Sequence, residues 1–487
     1  MKHLKLLPLL IAAAFCVPRA HAIDLIAVGT LSGSMGDLSS ATSGLLENGV
    51  AGNLLGGLGS GFAYAGGNTF IATPDRGPNA VSYNSNVDDT TSYINRFQTV
   101  NMVLSANSTP GPGGLPFTLT PTLTSTTLMS SATPLVYGAG AAASGSIAAL
   151  PSGVPSLNDA SHYYFTGRSD NFDPSQSSAN AGNGRLDPEG VRVSKDGKSI
   201  FVSDEYGPYI YQFDRATGQR IKSFQLPSNL AVSNLSASGN TEIAGNTVGR
   251  IANKGMEGLA ITPDGKTLVG IMQANLEQDA VGSLRIVMVD IASGATKEYA
   301  YQLSKGSGVS EIVALNDHQF LVDERDGKGL GDGSSAKVKQ LYMIDTTGAT
   351  DVSGLAAIGA ATPSVNKSLF LDVVNVLKAH GYSADQIPSK IEGVAFGADV
   401  TIGGVVTHTL YLANDNDFNV ATSGDNKFFV FGVTDADLAK AGATFVPQNI
   451  AAVPEPASYA MLALGLGLVG LVSRRKDSKR FKYPDQL

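Results

Sequence analysis

Tryptophan is absent from this chain of 487 residues, histidine occurs six times, and the only cysteine is Cys16. Cys16 falls inside an amino-terminal leader. Lys2 and Lys5 give it a basic start, Leu6 to Val17 is apolar, and Ala20-His21-Ala22 offers the small residues of a cleavage site. Residues 1–22 therefore read as a secretory signal peptide cut before Ile23. Phe15 is too bulky for a lipoprotein box around Cys16. The body that remains has no thiol, so it can form neither a disulfide nor a thiolate metal site, although export would permit disulfides. Six scattered histidines, one of them in the leader's cleavage site, provide no zinc cluster. The chain also lacks a G-x-S-x-G elbow, a histidine in a triad context, a Walker loop and a dinucleotide fingerprint. Serine-hydrolase and nucleotide chemistry thus have little support. Charged residues are sparse at 16%, while glycine is plentiful at 56, a balance that suits a turn-rich all-β protein.

What the chain does have is repetition. Glu-Gly, an apolar run, a tight turn and a second apolar run ending in acidic or amide residues recur from Asp187, Gly255 and Lys390. A degenerate copy starts at Ser310, and a fifth from Gly59 has Ser60 in place of the glutamate. Turns such as Asp196-Gly197 and Asp264-Gly265 between runs of Val, Ile, Leu and Phe predict β-hairpins. Self-similar hairpins spread through a chain predict radial repetition, a β-propeller, in which the same strand position of every repeat faces one axis. Propeller blades need about 40–50 residues, and the gap from Ser60 to Glu189 is long enough for two. Six blades are therefore expected, with five or seven open. A stacked β-solenoid would need shorter and more regular repeats. The stretch 105–159 is of low complexity: its PFTLTPTLTSTTL core alternates as an edge strand would, and GAGAAASGSIAALPSGVPS reads as a surface loop. Ile23–Val28 and Lys427–Val433 are strand-like ends expected to pair and close the ring. One helix is predicted, over Leu369–His380.

Nine of the 34 basic and three of the 42 acidic residues lie in the two ends, so the body, 23–452, holds 25 against 39, a net of −14. A body this acidic is a poor partner for nucleic acid and a good host for cations. Several acids gathered on one axis stay ionised together only with cations among them. Calcium, Ca2+, suits an irregular all-oxygen set. The candidate metal ligands are Glu189, Asp204, Glu257, Glu311, Glu392, Asp415 and Asp417, and the competing role for each is capping a strand or bonding loop backbone. Arg76, Arg192, Arg325 and Lys254 lie in or beside the same motifs and could receive a phosphate or carboxylate, or pair with a neighbouring acid.

The carboxyl end is tripartite. Pro454-Glu455-Pro456 precedes an uncharged stretch to Ser473, followed by Arg474-Arg475-Lys476 and a basic tail, 477–487. The stretch is at the short limit for a transmembrane helix, and the basic stop favours a cytoplasmic side. An ordinary anchor in the inner membrane is one reading of 453–476. The other is that this arrangement resembles the PEP-CTERM sorting signal of Gram-negative bacteria. That implies an exosortase as processing partner and a route from the membrane to the cell surface or extracellular matrix.

The motifs TPDRGPN (73–79), DPEGVRV…DEYGPYIYQF (187–213), NKGMEGLAITPDGKTL (253–268), SEIVAL…FLVDERD (310–326) and EGVAF…LANDNDF (392–418) are similar to those of the "esterase-like activity of phytase" family, a phytase-like β-propeller group of exported bacterial proteins. The resemblance implies a propeller with a polar central site and a phosphoester or ester hydrolase activity on a small phosphorylated or ester substrate. In that reading Glu257 is the base, Arg76 and Arg325 stabilise developing charge, and Arg192, Tyr206 and Lys254 bind substrate. The alternative is a non-catalytic, surface-displayed propeller that binds exopolysaccharide or a matrix protein.

Overall fold

The computed structural model describes residues 23–108, 114–138 and 153–451. The segments read as a signal peptide and as a tripartite tail with a transmembrane helix lie outside the described residues, as does most of the GAGAAASGS loop.

Strand β1 (Asp24–Leu31) opens the body and finds its partner only at the far end of the chain. The first sheet is β2 (Gly61–Tyr64), β3 (Thr69–Thr73), β4 (Arg96–Ala106) and β5 (Phe117–Leu128), and a small ribbon of β6 (Ser130–Ser131) and β7 (Tyr163–Tyr164) follows. The second sheet is β8 (Pro188–Val193), β9 (Ser199–Asp204), β10 (Tyr209–Asp214) and β11 (Arg220–Gln225). The third is β12 (Met256–Ile261), β13 (Thr267–Met272), β14 (Ser283–Asp290) and β15 (Thr296–Gln302). The fourth is β16 (Gly308–Ala314), β17 (Gln319–Arg325), β18 (Lys339–Asp345) and β19 (Asn366–Asp372). In the fifth, β20 (Ile391–Phe396), β22 (Val405–Asn414) and β23 (Asn426–Val433) are completed by β1, and β21 (Val400–Ile402) pairs with β22 at the side.

The inner strands β2, β8, β12, β16 and β20 each pack against the next, and β20 returns to β2, so the ring is closed. Each gap between neighbouring sheets holds its own apolar core. Phe62, Phe70, Tyr411 and Phe428 fill the gap between the first and fifth sheets, and Leu268, Met272, Phe201 and Ile210 the gap between the second and third. The molecule is a five-bladed β-propeller. Antiparallel pairing of Asp24–Leu31 with Asn426–Val433 closes the ring in the manner expected of the two ends, which removes the open edges a fan of sheets would otherwise leave.

Five blades replace the six counted from spacing. The long gap between Ser60 and Glu189 holds one blade, whose outer hairpin of 11- and 12-residue strands uses up much of the excess. The threonine-rich alternation is its outer strand β5, as an edge strand should be. The remainder is tied down as loop by single bridges such as Ile94 to Thr166 and Thr166 to Arg185. The predicted helix is shorter than expected: Val373–Ala379 is helical, but Leu369–Asp372 belongs to β19. Pairing with β18 claims those residues, and Asp372 then caps the helix by accepting the Asn375 N–H at 3.0 Å.

After β23 the chain crosses the lower face of the ring. Val446 N–H donates to the Leu315 carbonyl in blade four, Gln448 Nε2 to Val193 and Ala451 N–H to Lys195, both in blade two. Phe445 packs on Phe396 of blade five with ring centroids 4.4 Å apart. This strap spans the axis at the ends of the inner strands remote from the Glu-Gly motifs.

Candidate functional site

The site is built by register. In β12 and β20 the pairing steps over Glu257 and Glu392, and in β8 over Glu189 and Gly190, so each glutamate sits in a β-bulge at the upper end of its inner strand. A bulge adds a residue to one strand and re-aims its side chain; here it turns the carboxylates to the axis. The glycine that follows lets the next inner strand come close. A Cβ on Gly258 would lie 2.7 Å from the Ile312 nitrogen, and one on Gly393 2.6 Å from the Phe62 Cβ.

The degenerate repeat is displaced by one residue. In β16 the bulged residue is Ser310, and Glu311 pairs with Asp323 at the position Gly258 and Gly393 hold elsewhere. Glu311 therefore points into the closed channel below. Its carboxylate accepts the Leu259 and Ile312 N–H groups, each at 2.9 Å, and lies 3.1 Å from Arg192 Nη2. Arg192 donates to the carbonyls of Phe62, Val191, Ile312 and Val394, one from each of four inner strands. Its guanidinium forms the floor of the axis, with a small cavity of about 50 Å³ between it and the strap.

Above that floor lies a cavity of about 250 Å³. The end of each second strand, or the residue or two just past it, contributes Asp75, Glu205, Gln273, Arg325 and Asp415, one per blade. Glu189, Glu257 and Glu392 form the ring beneath, and Asp187 and Lys390, just ahead of their strands, join from the side with Arg76 and Asp417. Among the described residues, eight carboxylates and three cationic groups line it, with no histidine. Two triads bring oxygens within 4.8 Å of one another: Asp75, Asp415 and Asp417, and Asp187, Glu189 and Glu205.

Each cation has definite partners. Arg76 donates to Asp187 through its backbone N–H at 3.0 Å and through Nη1 at 3.3 Å. Arg325 pairs with Glu392, lies 3.6 Å from Glu257 and donates to Ser310 Oγ. Its sequence neighbour Glu324 faces away, to Lys367 and the Tyr301 hydroxyl. Lys390 donates to Asp415 at 2.8 Å and to Asp417 at 2.7 Å. Gln273 Nε2 donates to Glu257 Oε1 at 2.7 Å, while Glu257 Oε2 is buried without a partner.

Crowding and burial raise most of these acids. Burial lifts Glu189 well above the usual carboxylate range, with Glu257 and Asp187 adding to it; burial and then Glu205 and Glu392 do the same to Glu257. Asp187 is pushed up to about 7 by burial against the pull of Arg76. Burial and Asp415 raise Asp75. Asp415 is the exception: burial pushes it up, but the Lys390 ammonium and the Asp417 N–H together hold it low.

Not every expected residue reaches the cavity. Glu311 and Arg192 are in the floor. Asp204 accepts the N–H groups of Asp187 and Tyr206, both at 3.0 Å. The Tyr206 hydroxyl donates to the Gly167 carbonyl and its ring lies under Arg185. Lys254 is exposed beside Asn253, which does line the cavity. Sequence reasoning gave no role to Asp75, Asp187, Lys390 or Gln273, although Asp75 and Asp187 lie in the quoted motifs and Lys390 opens a repeat.

No helix among the described residues is long and apolar enough to cross a membrane. Residues 452–476 match the PEP-CTERM protein-sorting motif, which implies exosortase processing and sorting to the extracellular side. A protein of Arthroderma benhamiae described as an uncharacterized secreted protein is 36% identical over 136 residues, which is 24% of this chain and about a quarter (26%) of that protein's length. Among solved structures, the periplasmic gluconolactonase PpgL of Pseudomonas aeruginosa aligns at 12% identity and TM-score 0.31, over 85% of this chain and 96% of that one. A putative 6-phosphogluconolactonase of Bacteroides uniformis aligns at 13% and 0.29, over 82% and 95%. Residues 53–418, most of the body, match the model of the family described as phytase-like, esterase-like activity of phytase, and the chain belongs to that family.

Proposed function

We propose that the chain is an exported, calcium-dependent hydrolase of ester bonds that works in the cavity at the upper end of the axis. One observation carries this reading: the Glu189 carboxylate, 8% exposed and aimed into a cavity of eight acids, has no hydrogen-bond or ion-pair partner among the described residues. A buried carboxylate without a partner is costly, and a cation among these oxygens removes the cost. The donor set is all oxygen and irregular, which fits calcium and not zinc.

Asp187, Glu189 and Glu205 would hold the ion. When bound, it would act as a Lewis acid toward an ester oxygen. The chain's own groups supply the rest. Glu257 Oε2, buried and unpartnered, would accept the proton of an attacking water. Arg325, 3.6 Å from Glu257, would stabilise the negative charge that develops on the substrate, and Arg76 would steady the carboxylate of Asp187 beside it.

The test pairs stability with turnover. Chelation is expected to lower the melting temperature, and calcium to restore it better than magnesium; a bound ion adds about 2.7 kcal/mol at a hundredfold excess over its dissociation constant. Glu257→Gln is expected to cost about 10²- to 10⁴-fold in hydrolysis while leaving the fold intact. A melting temperature and an activity both indifferent to chelator and calcium would show the acids to be structural caps.

A further inference from the structure

The two acidic triads are not equivalent. At Asp75, Asp415 and Asp417 the Lys390 ammonium already stands where an ion would, 2.8 Å from Asp415 Oδ2 and 2.7 Å from Asp417 Oδ1. Its charge holds Asp415 low in spite of burial. At Asp187, Glu189 and Glu205 no side chain does this: Arg76 touches Asp187 from the side, Glu205 accepts one backbone N–H from Gly255, and Glu189 is unpartnered.

Charge follows from this placement. Three cationic groups and one divalent ion supply five positive charges against eight carboxylates, leaving a surplus of three. Nothing is then left to neutralise a phosphate dianion, and like charge in a cleft repels it.

We propose that Lys390 is a built-in cation that fills one triad, so that the cavity takes a single divalent ion, at Asp187, Glu189 and Glu205, and admits an uncharged carboxylic ester rather than a phosphoester. The inference rests on the cation-dependent reading above and narrows it.

Calcium stoichiometry by equilibrium dialysis of the full-length secreted protein tests the first part. One ion is expected for the wild type, two for Lys390→Ala, which removes the ammonium and opens its space, and one for Lys390→Arg, which keeps the charge. Two ions on the wild type, or no gain in Lys390→Ala, overturn the role of Lys390. No calcium on the wild type but one ion on Lys390→Ala keeps that role and refutes the metal at the other triad. None on either refutes both.

The second part needs no variant. The calcium-loaded wild type is expected to hydrolyse p-nitrophenyl acetate and not p-nitrophenyl phosphate, and millimolar inorganic phosphate is expected neither to inhibit it nor to raise its melting temperature. Phosphatase turnover or protection by phosphate overturns the uncharged-ester assignment. Hydrolysis of neither substrate refutes the catalytic reading, and phosphate protection alone then decides the charge argument.

Discussion

At the scale of single residues, the floor of the axis depends on one guanidinium. Arg192 is 4% exposed and gathers the carbonyls of four inner strands, with Glu311 as its only carboxylate partner among the described residues. Removing one member of a buried ion pair leaves the other charged and unpaired, at about 3–5 kcal/mol. Arg192→Met is therefore expected to lower unfolding stability by that amount in urea titration, and Arg192→Met with Glu311→Gln to recover part of it. Equal stability of the single variant and the wild type would remove the floor role. The sequence made Glu189, Glu257 and Glu392 legible because the Glu-Gly phrase repeats without change. It misled at Ser310-Glu311, where the glutamate has moved one step along a bulged strand. Strand alternation cannot reveal this, since a bulge breaks the two-residue period on which facing is judged. Of the acids at the end of the second strand, Glu205, one residue past β9, reaches the cavity, while Asp204 stays on backbone N–H groups.

At the scale of elements, hairpins and ring closure were readable from apolar runs and turns. Gly197 and Gly265 have φ of 72° and 76°, in the left-handed region that the Asp-Gly turns require. The strap over Thr444–Ala451 was not readable, because it is irregular backbone held by contacts to distant strand ends. Phe445 is half-buried, packed on Phe396 and 4.8 Å from the His408 ring. A fully buried phenylalanine cut to alanine costs about 3–5 kcal/mol, and half of that contact is solvent here. Phe445→Ala is thus expected to cost about 1–3 kcal/mol in denaturant titration without changing calcium affinity, since the strap and the cavity lie at opposite ends of the axis. A loss of calcium affinity equal to that of Glu189→Gln would show that the two ends are coupled.

At the scale of the molecule, length favoured six blades and left five open; five form because a long outer hairpin and bridged loops consume residues that spacing would assign to another blade. Charge was the better guide, and it makes a prediction that spans the whole ring. Asp187, Asp204 and Asp323, from blades two and four, are each pushed up to about 7 by burial, against about 3.9 for aspartate in an unfolded chain. Between these limits the native state binds more protons than the unfolded state, so stability must fall as pH rises through the window from about 4 to about 7. The calcium-free protein is accordingly expected to melt at a higher temperature at pH 5.5 than at pH 8. Saturating calcium should shrink or reverse that difference, because ligating carboxylates release their protons to the ion. Repulsion across the acidic surface, at net −14 for the body, would act in the same direction, but salt separates the two causes. At 1 M salt the screening length is about 3 Å, which silences exposed charges and leaves buried ones largely unscreened. The pH dependence of the calcium-free melting temperature should survive in high salt if it comes from the cavity and its neighbours, and vanish if it comes from the surface.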